Sequence, residues 1–234
     1  MVVELGRKLV LAAVPVLALV LACGSDKAPP TAEVEYSIPQ AVDQLLALES
    51  ASFTLEHLQG TTVLVPGVLM TKAYGEVDIP DRFRVTVEAE SVSPKTYIEI
   101  SIITIENKTY MTGLFGRRWN EVPADTLPFN LSGLGQTLAN IVDAIEEGRG
   151  LGQERLQGVD TVRLGGNISS EDLSELIPGA GSGFPVALEL WLDPAGLLRQ
   201  VKIIGRVVPT DDADTVRRLV LNDTNQPVTI NPPE

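Results

Sequence analysis

Cysteine and histidine are almost absent from this sequence, which has one of each among its 234 residues, Cys23 and His57. A lone cysteine excludes a disulfide within the chain, so the fold must be stabilised by packing. One histidine and no cysteine pair leave no ligand set of the usual zinc kind, and no EF-hand calcium loop is present. His57 lies in an alternating stretch with Phe53 and Leu55, which favours a packing role over catalysis. We therefore expect no metal, no cofactor and no catalytic residue.

Positive charge is also scarce, with 18 Lys and Arg residues against 31 Asp and Glu residues and a formal net charge of −13. An acidic surface repels the phosphate backbone, which excludes nucleic acid as a partner. It repels anionic lipid head groups for the same reason. Any stable attachment to a membrane must therefore be covalent.

The motifs of several enzyme classes are missing as well. There is no glycine-rich phosphate loop, because the glycines at 148–152 do not open a helix after a strand. There is no Gly-x-Ser-x-Gly elbow between a strand and a helix. The acidic pairs Glu146-Glu147 and Asp211-Asp212 are interpreted as solvated side chains near helix ends and loops. An enzyme is the least favoured class of function.

The amino-terminal segment has the parts of a secretory signal peptide. Arg7 and Lys8 precede an uncharged apolar run from Leu9 to Leu21, and the small residue Ala22 stands just before Cys23. This order predicts a signal peptide over residues 1–22. The apolar run is too short for a membrane-spanning helix, which takes about 20 residues.

The sequence around Cys23 resembles the lipobox of bacterial lipoproteins, although Leu21 is bulkier than the residue usual at that position. The resemblance implies cleavage before Cys23, a thioether-linked diacylglycerol on its thiol and acylation of the new amino terminus. The alternative is an ordinary secreted protein with a free Cys23, but an odd thiol in an exported protein needs a role. We expect a protein that is exported and anchored by lipid to the outer face of a bacterial cell membrane.

Composition divides the chain into three parts. Residues 1–22 are the signal peptide, and residues 23–35 are the lipidated cysteine and a flexible polar tether. Residues 36–234 are long enough for one domain with its own core.

Apolar periodicity predicts the secondary structure of that domain. Ser37 is a predicted N-cap, with Gln40 completing a capping box. A second helix is predicted over Leu131–Glu147, with Ser132 as its cap and Gly148 as its C-cap, and glycines after it form a flexible exit. A short helix is predicted with Ser169 or Ser170 as its cap. Strands are predicted at 52–58, 70–79, 83–90, 98–102, 109–111, 119–122, 155–164, 186–192, 197–208 and 215–222, with a last edge strand at 226–230.

Nine to eleven strands joined mostly by short turns indicate an α+β fold with one large antiparallel sheet. A sheet of that width must curl or split. Because one phase of each strand is apolar and the other polar, helices should cover one side only.

The order of these elements resembles that of a known family. The mature chain, from about residue 36 to 232, resembles the mycobacterial surface lipoproteins of the LppX and LprG group (LppX/LprAFG), whose fold is similar to that of the LolA/LolB lipoprotein carriers. The stretches that carry the resemblance are 52–57, 75–83, 108–111, 119–123, 157–161, 190–198 and 221–230. The resemblance implies a strongly curved half-barrel sheet with a few helices on its concave face and an apolar cavity for the acyl chains of lipids or glycolipids.

The lining of such a cavity can be predicted only from the apolar phase of the strands and of the long helix. The predicted lining residues are Val85, Val87, Ile98, Ile100, Ile102, Leu134, Leu138, Ile141, Ile145, Leu188 and Leu190. The same positions would be apolar in a filled core, and sequence does not distinguish the two.

Two functions remain. The first is a membrane-anchored monomer that carries an acyl lipid or glycolipid to or across the cell envelope, with a lipid exporter as a further partner. The second is a structural or interaction lipoprotein with a filled core and no ligand, which should expose an apolar patch instead.

Overall fold

The computed structural model describes residues 31–113, 116–123, 127 and 129–234. The predicted signal peptide, Cys23 and most of the predicted tether lie outside these residues. Within them the chain forms two α-helices, α1 (Thr31–Leu46) and α2 (Leu134–Asp143), and a short 3₁₀ helix (Ser170–Leu173).

Alternation of apolar and polar residues produces the strands of one antiparallel sheet, as the sequence predicts. The strands are β1 (Ser50–Gln59), β2 (Thr62–Val65), β3 (Val68–Asp78), β4 (Arg82–Val92), β5 (Lys95–Ile105), β6 (Lys108–Gly113), β7 (Gly116–Val122), β8 (Glu146–Leu156), β9 (Val159–Ser169), β10 (Pro185–Leu192), β11 (Leu198–Ile204) and β12 (Val216–Asn222). Their spatial order is β7-β6-β5-β4-β3-β1-β12-β11-β10-β9-β8, and β2 pairs with β3. The path ends at β7 and β8, so the sheet is open, and its width requires it to curl.

The first and last strands of the described residues meet in the middle of this sheet. Strand β1 lies between β3 and β12, so that Leu55 pairs with Ala73 on one side and with Leu219 on the other. The amino-terminal and carboxy-terminal halves of the domain are therefore joined by the β1–β12 ladder.

One face of the sheet is apolar because cross-strand partners share the same side of the pleat. A single row across eight strands contains Leu164, Leu190, Val201, Leu219, Leu55, Ala73, Val87 and Ile100. These side chains belong to, or pack against, the same core cluster as Leu45 of α1 and Leu138 and Ile141 of α2. The helices therefore cover the apolar face.

The opposite face buries a large aromatic side chain, Trp191. Its ring lies under Arg163 and Lys202, whose charged groups are 5.0 and 5.9 Å from the ring centroid. Its Nε1 donates to Glu154 Oε2 at 3.0 Å, and the side chain is 3% exposed. Polar residues of this face thus shield an aromatic residue from water.

The predicted helix ends are wrong in both long helices. Helix α1 begins at Thr31, so Ser37 lies inside it and is not its cap. Residues 31–35, predicted to belong to the flexible tether, are therefore helical, and Ala32 and Glu33 among them have high helix propensity. Helix α2 is shorter than predicted: Gly133 is its N-cap, where Ser132 was expected, and Ala144 is its C-cap, where Gly148 was expected.

A β-hairpin stands where the sequence predicted a flexible glycine-rich exit from α2 and a single strand over 155–164. Both predictions are wrong. Residues from Glu146 onward form β8, which pairs with β9. The two strands are joined at Gln157 and Gly158, whose φ angles are +50° and +87°, and a glycine accommodates such a turn without a steric penalty. This polar segment forms a strand because it pairs with β9, since its sequence has no apolar periodicity that would favour one.

Three smaller features of the fold are β2, the carboxy-terminal tail and the cap of the short helix. The sequence did not predict β2, and the predicted edge strand at 226–230 is irregular chain in the structure. This tail is attached to β1, because Ser50 Oγ donates to the carbonyl of Gln226 at 2.6 Å, and Ile230 is buried. The predicted cap of the short helix is confirmed at Ser169, whose N–H donates to Asp172 Oδ2 at 3.0 Å.

Candidate functional site

An apolar cavity of about 490 Å³ lies between the sheet and α2. Its sheet side is formed by β1, β2, β3, β4 and β12. Its other side is formed by Phe129 and Leu131, which precede α2, by Leu134 at the start of α2, and by residues 176–179 and 208–210. This volume is within the usual range of ligand pockets, roughly 300–1,000 Å³. The core predicted from the sequence is thus incompletely filled at this place.

The inner part of the cavity is formed by residues in the apolar phase of the central strands. Phe53 and Leu55 of β1, Val85 of β4 and Leu219 of β12 are all buried and all contribute to its wall. Their side chains share one face because β1 pairs directly with β12, and with β4 through β3. The strand register therefore produces a continuous apolar wall.

Exposed residues mark the mouth of the cavity. Leu64 of β2 is 41% exposed, and Pro209 and Thr210 in the loop between β11 and β12 are also exposed, yet all three line the cavity. The mouth therefore lies between β2 and this loop.

A buried ion pair lies beside the mouth. The side chains of Arg217 and Asp211 are both inaccessible to solvent, and Arg217 Nη2 donates to Asp211 Oδ2 at 2.6 Å. The same carboxylate oxygen accepts the backbone N–H groups of Val207 and Val208, each at 3.0 Å. Arg217 lines the cavity together with Thr62 and Thr210, so a charged residue is part of a mostly apolar wall.

Hydrogen bonds to a threonine connect the ion pair to His57. Arg217 Nη2 donates to Thr62 Oγ1 at 2.6 Å, and His57 Nε2 lies 2.9 Å from the same hydroxyl oxygen. Burial, and next the positive charge of Arg217, lower the pKa of His57 below its usual value of 6.5. The imidazole is therefore neutral at pH 7, and Arg217 is the cation of this cluster.

The structure places the residues that the sequence predicted for a cavity in two groups. Val85, Val87 and Leu134 line the cavity described here. The others lie away from this cavity, either buried or half-buried against the core: Ile98, Ile100, Ile102, Leu138, Ile141, Ile145, Leu188 and Leu190. Cys23, the predicted lipidation site, lies outside the described residues.

Sequence reasoning missed the polar members of the site. Asp211 was interpreted as solvated, which is wrong, because it is 3% exposed and paired with Arg217. One signal was present: Arg217 stands in phase with Leu219 and Leu221, in the apolar positions of β12. A charge in the apolar phase of a strand indicates a buried partner.

A second pocket, of about 690 Å³, lies on the other side of Phe129. It is larger than the first, but its walls include Glu106, Asn107, Gln136 and Glu175. Acyl chains would leave these polar groups without water, so the apolar cavity is the better candidate for them.

The part of the chain that the structure describes contains neither a metal-binding cluster nor a membrane-spanning helix. No group of three or more His, Cys, Asp or Glu side chains there is arranged to hold a metal ion. None of the helices in that part of the chain is both long enough and apolar enough to cross a membrane.

Comparison with known proteins gives matches over most of the chain. The profile of the LppX_LprAFG lipoprotein family matches residues 33–230. The lipoarabinomannan carrier protein LprG of Mycobacterium tuberculosis and that of Mycobacterium bovis are each 26% identical over 202 residues, which is 81% of this chain and 81% of theirs.

Two solved structures have the same fold. LprF from Mycobacterium bovis superposes with a TM-score of 0.68 at 16% identity, covering 87% of this chain and 98% of LprF. Mycobacterium tuberculosis lipoprotein LppX superposes with a TM-score of 0.57 at 17% identity, covering 86% of this chain and 100% of LppX.

Proposed function

The chain belongs to the LppX_LprAFG lipoprotein family, and from this premise we propose that it binds the acyl chains of a lipid or glycolipid in the apolar cavity and carries them to or across the cell envelope. The family resemblance predicted from the sequence is confirmed. The single observation that carries the proposal is the cavity of about 490 Å³ between the central strands and α2.

The energetics of acyl binding suit such a cavity. Burial of a methylene group is worth about 0.8 kcal/mol, so about a dozen methylenes would contribute on the order of 10 kcal/mol before the cost of ordering the lipid. Phe53, Leu55 and Leu219 offer the apolar wall for these contacts. Part of that energy is sufficient for micromolar binding, which requires about 8 kcal/mol.

The name of a relative supports the class of ligand. LprG, at 26% identity, is named a lipoarabinomannan carrier protein. We extend to this chain only the coarser property, carriage of an acylated lipid or glycolipid, because the relationship is distant. A carrier of this kind needs no catalytic residue.

The location of the protein is part of the same proposal. The family is one of lipoproteins, which supports export and association with the envelope. Removal of residues 1–22 and lipidation of Cys23 would anchor the domain at the outer face of the membrane. The curled sheet would then form a half-barrel with the helices on its concave face, and a lipid exporter would be the partner that supplies or receives the cargo.

The alternative function, an interaction lipoprotein with a filled core, accounts less well for the site. A filled core would leave no cavity of this size. The exposed apolar side chains Leu64 and Val65 are the kind of patch that the alternative predicts, but Leu64 lines the mouth of the cavity.

The proposal is tested on the full chain carrying Cys23→Ser, so that no covalent lipid contributes to the mass. Native mass spectrometry and lipid extraction of the same sample should find a bound acyl lipid. Leu219→Trp would place an indole in the cavity and should abolish the bound mass. Val220→Trp, the neighbouring position on the opposite face, should leave it unchanged. A protein without bound lipid that takes up no added diacyl or triacyl lipid would overturn the proposal.

A further inference from the structure

Arg217 has hydrogen-bonding capacity that the protein does not use. Its Nη2 is bonded to Asp211 and Thr62, but its Nε and Nη1 are buried and have no acceptor among the residues that the structure describes. Buried donors are normally satisfied, because an unpaired one loses the hydrogen bonds that water would supply. These two donors belong to a side chain that lines the cavity.

The charge of Arg217 is already balanced. Asp211 contacts it at 2.6 Å, and neither side chain is accessible to solvent. An anionic group entering the site would add an uncompensated negative charge in a poorly solvated place, which is unfavourable. A neutral acceptor oxygen would satisfy the two donors without that penalty. The site is therefore suited to a carbonyl oxygen rather than to a phosphate or carboxylate.

The position of Arg217 matches a particular part of an acyl lipid. Arg217 is bonded to Thr62, which is two residues from the exposed Leu64, and to Asp211, which follows the exposed Thr210. Arg217 thus lies just inside the mouth, while the apolar wall at Phe53 continues inward. In an acyl lipid whose chains fill the apolar part, the ester groups that join the chains to the head group would lie at this level.

We propose that Arg217 is an ester-recognition residue: its Nε and Nη1 donate hydrogen bonds to the ester carbonyl oxygens of a bound multi-acyl lipid, while Asp211 balances its charge. This inference rests on the proposed lipid-binding function. It adds a specificity that an apolar cavity alone would lack, because hydrocarbon contacts do not distinguish an ester from an ether.

The test compares two neutral lipids that differ only in whether ester carbonyl oxygens are present. Dipalmitoylglycerol has two ester carbonyls, and the corresponding dihexadecylglycerol has ether linkages without carbonyls. Both are offered in the same neutral detergent to the full chain carrying Cys23→Ser, and binding is measured by competition in native mass spectrometry. We expect a preference for the ester of about tenfold, equivalent to about 1.4 kcal/mol.

Removal of the recognition group should abolish the preference and leave acyl binding intact. The double variant Arg217→Met with Asp211→Asn removes both charges, so no buried charge is left unpaired. It should bind the ether lipid as the unsubstituted chain does and show an ester-to-ether ratio near one. Arg218→Met is the matched control, since Arg218 lies on the opposite face and pairs with Glu56; this variant should keep the preference.

The outcomes of this test separate a failure of ester recognition from a failure of the proposed lipid binding. Equal binding of ester and ether by the unsubstituted chain overturns the ester-recognition role and leaves lipid binding standing. Failure to bind either lipid overturns the proposed function itself. Tighter binding of palmitate than of the diacyl ester, lost in the double variant, would replace the ester with a carboxylate ligand. The ratio measured on the unsubstituted chain decides the matter even if the double variant does not fold.

Discussion

Gly135 of α2 lies directly against the carbonyl oxygen of Leu45 in α1, so that a Cβ atom at position 135 would stand 2.5 Å from that oxygen. The next atom it would meet is Cβ of Leu48, at 3.2 Å. The absence of a side chain at this position is therefore what allows the two helices to approach each other. Since α2 also supplies Leu134 to the cavity wall, the same contact positions one side of the candidate site.

Replacement of Gly135 by alanine should destabilise the protein despite the better helix propensity of alanine. We expect a loss of about 1–3 kcal/mol, the usual effect of overpacking, measured as a shift of the urea midpoint. Gly113→Ala in strand β6 is the control, because a Cβ there meets nothing within 4 Å and Gly113 is not a helix cap. Equal effects of the two substitutions would contradict the role of the helix contact.

The buried ion pair predicts a non-additive pair of substitutions. Arg217→Met alone leaves the Asp211 carboxylate buried without its cation and should cost about 3–5 kcal/mol of unfolding free energy. Adding Asp211→Asn removes the stranded charge, so the double variant should be more stable than Arg217→Met alone. Urea unfolding of the four proteins in the cycle measures the coupling; additive effects would show that the two groups do not interact.

The lowered pKa of His57 predicts that the protein loses stability as the pH falls below about 6.5. In that range the unfolded chain binds a proton at this residue that the folded chain resists, so unfolding becomes more favourable as the pH decreases. Urea unfolding between pH 7.5 and 5.5 measures how steeply the free energy of unfolding changes with pH. Most carboxylates titrate below this range. His57→Gln should flatten that slope, and an unchanged slope in this variant would assign it to other groups.

Trp191 should be the most sensitive position on the face of the sheet opposite the helices. Trp191→Ala removes a buried indole between Arg163 and Lys202 and should cost about 3–5 kcal/mol. Thermal unfolding followed by circular dichroism measures the loss. Glu154→Gln keeps an acceptor for the indole N–H. It should therefore lower the stability by less than half of the loss caused by Trp191→Ala. A small effect of Trp191→Ala would mean that the charged side chains do not pack on the ring.

Most of the sheet could be predicted from the sequence because its strands have one apolar and one polar phase. Strand β4, from Arg82 to Val92, is an example, since Phe83, Val85 and Ala89 are buried in alternation with more exposed residues. Strand β8 could not be predicted in this way. It is polar and rich in glycine, and its conformation is set by pairing with β9, which is tertiary information.

The candidate site was only partly predictable for a similar reason. Apolar periodicity indicates which residues point inward, but it does not show where packing is incomplete, because a lined cavity and a filled core use the same residue types. The cluster around Arg217 depends on Thr62, which is 155 positions away in the chain. Such a contact exists only after the strands have paired. The one indication in the sequence is that Arg217 occupies an apolar position of its strand.

The pairing of the first strand with the last has a consequence for the order of assembly. During synthesis β1 emerges early, and its partner β12 is among the last segments to emerge, so the ladder between Leu55 and Leu219 closes a loop of nearly the whole domain. Contacts of such long range form slowly, because the entropy of loop closure must be overcome first. Both strands contribute to the cavity wall. A chain lacking its last strand would therefore have no enclosed cavity, and the capacity to hold a ligand arises only when folding is complete.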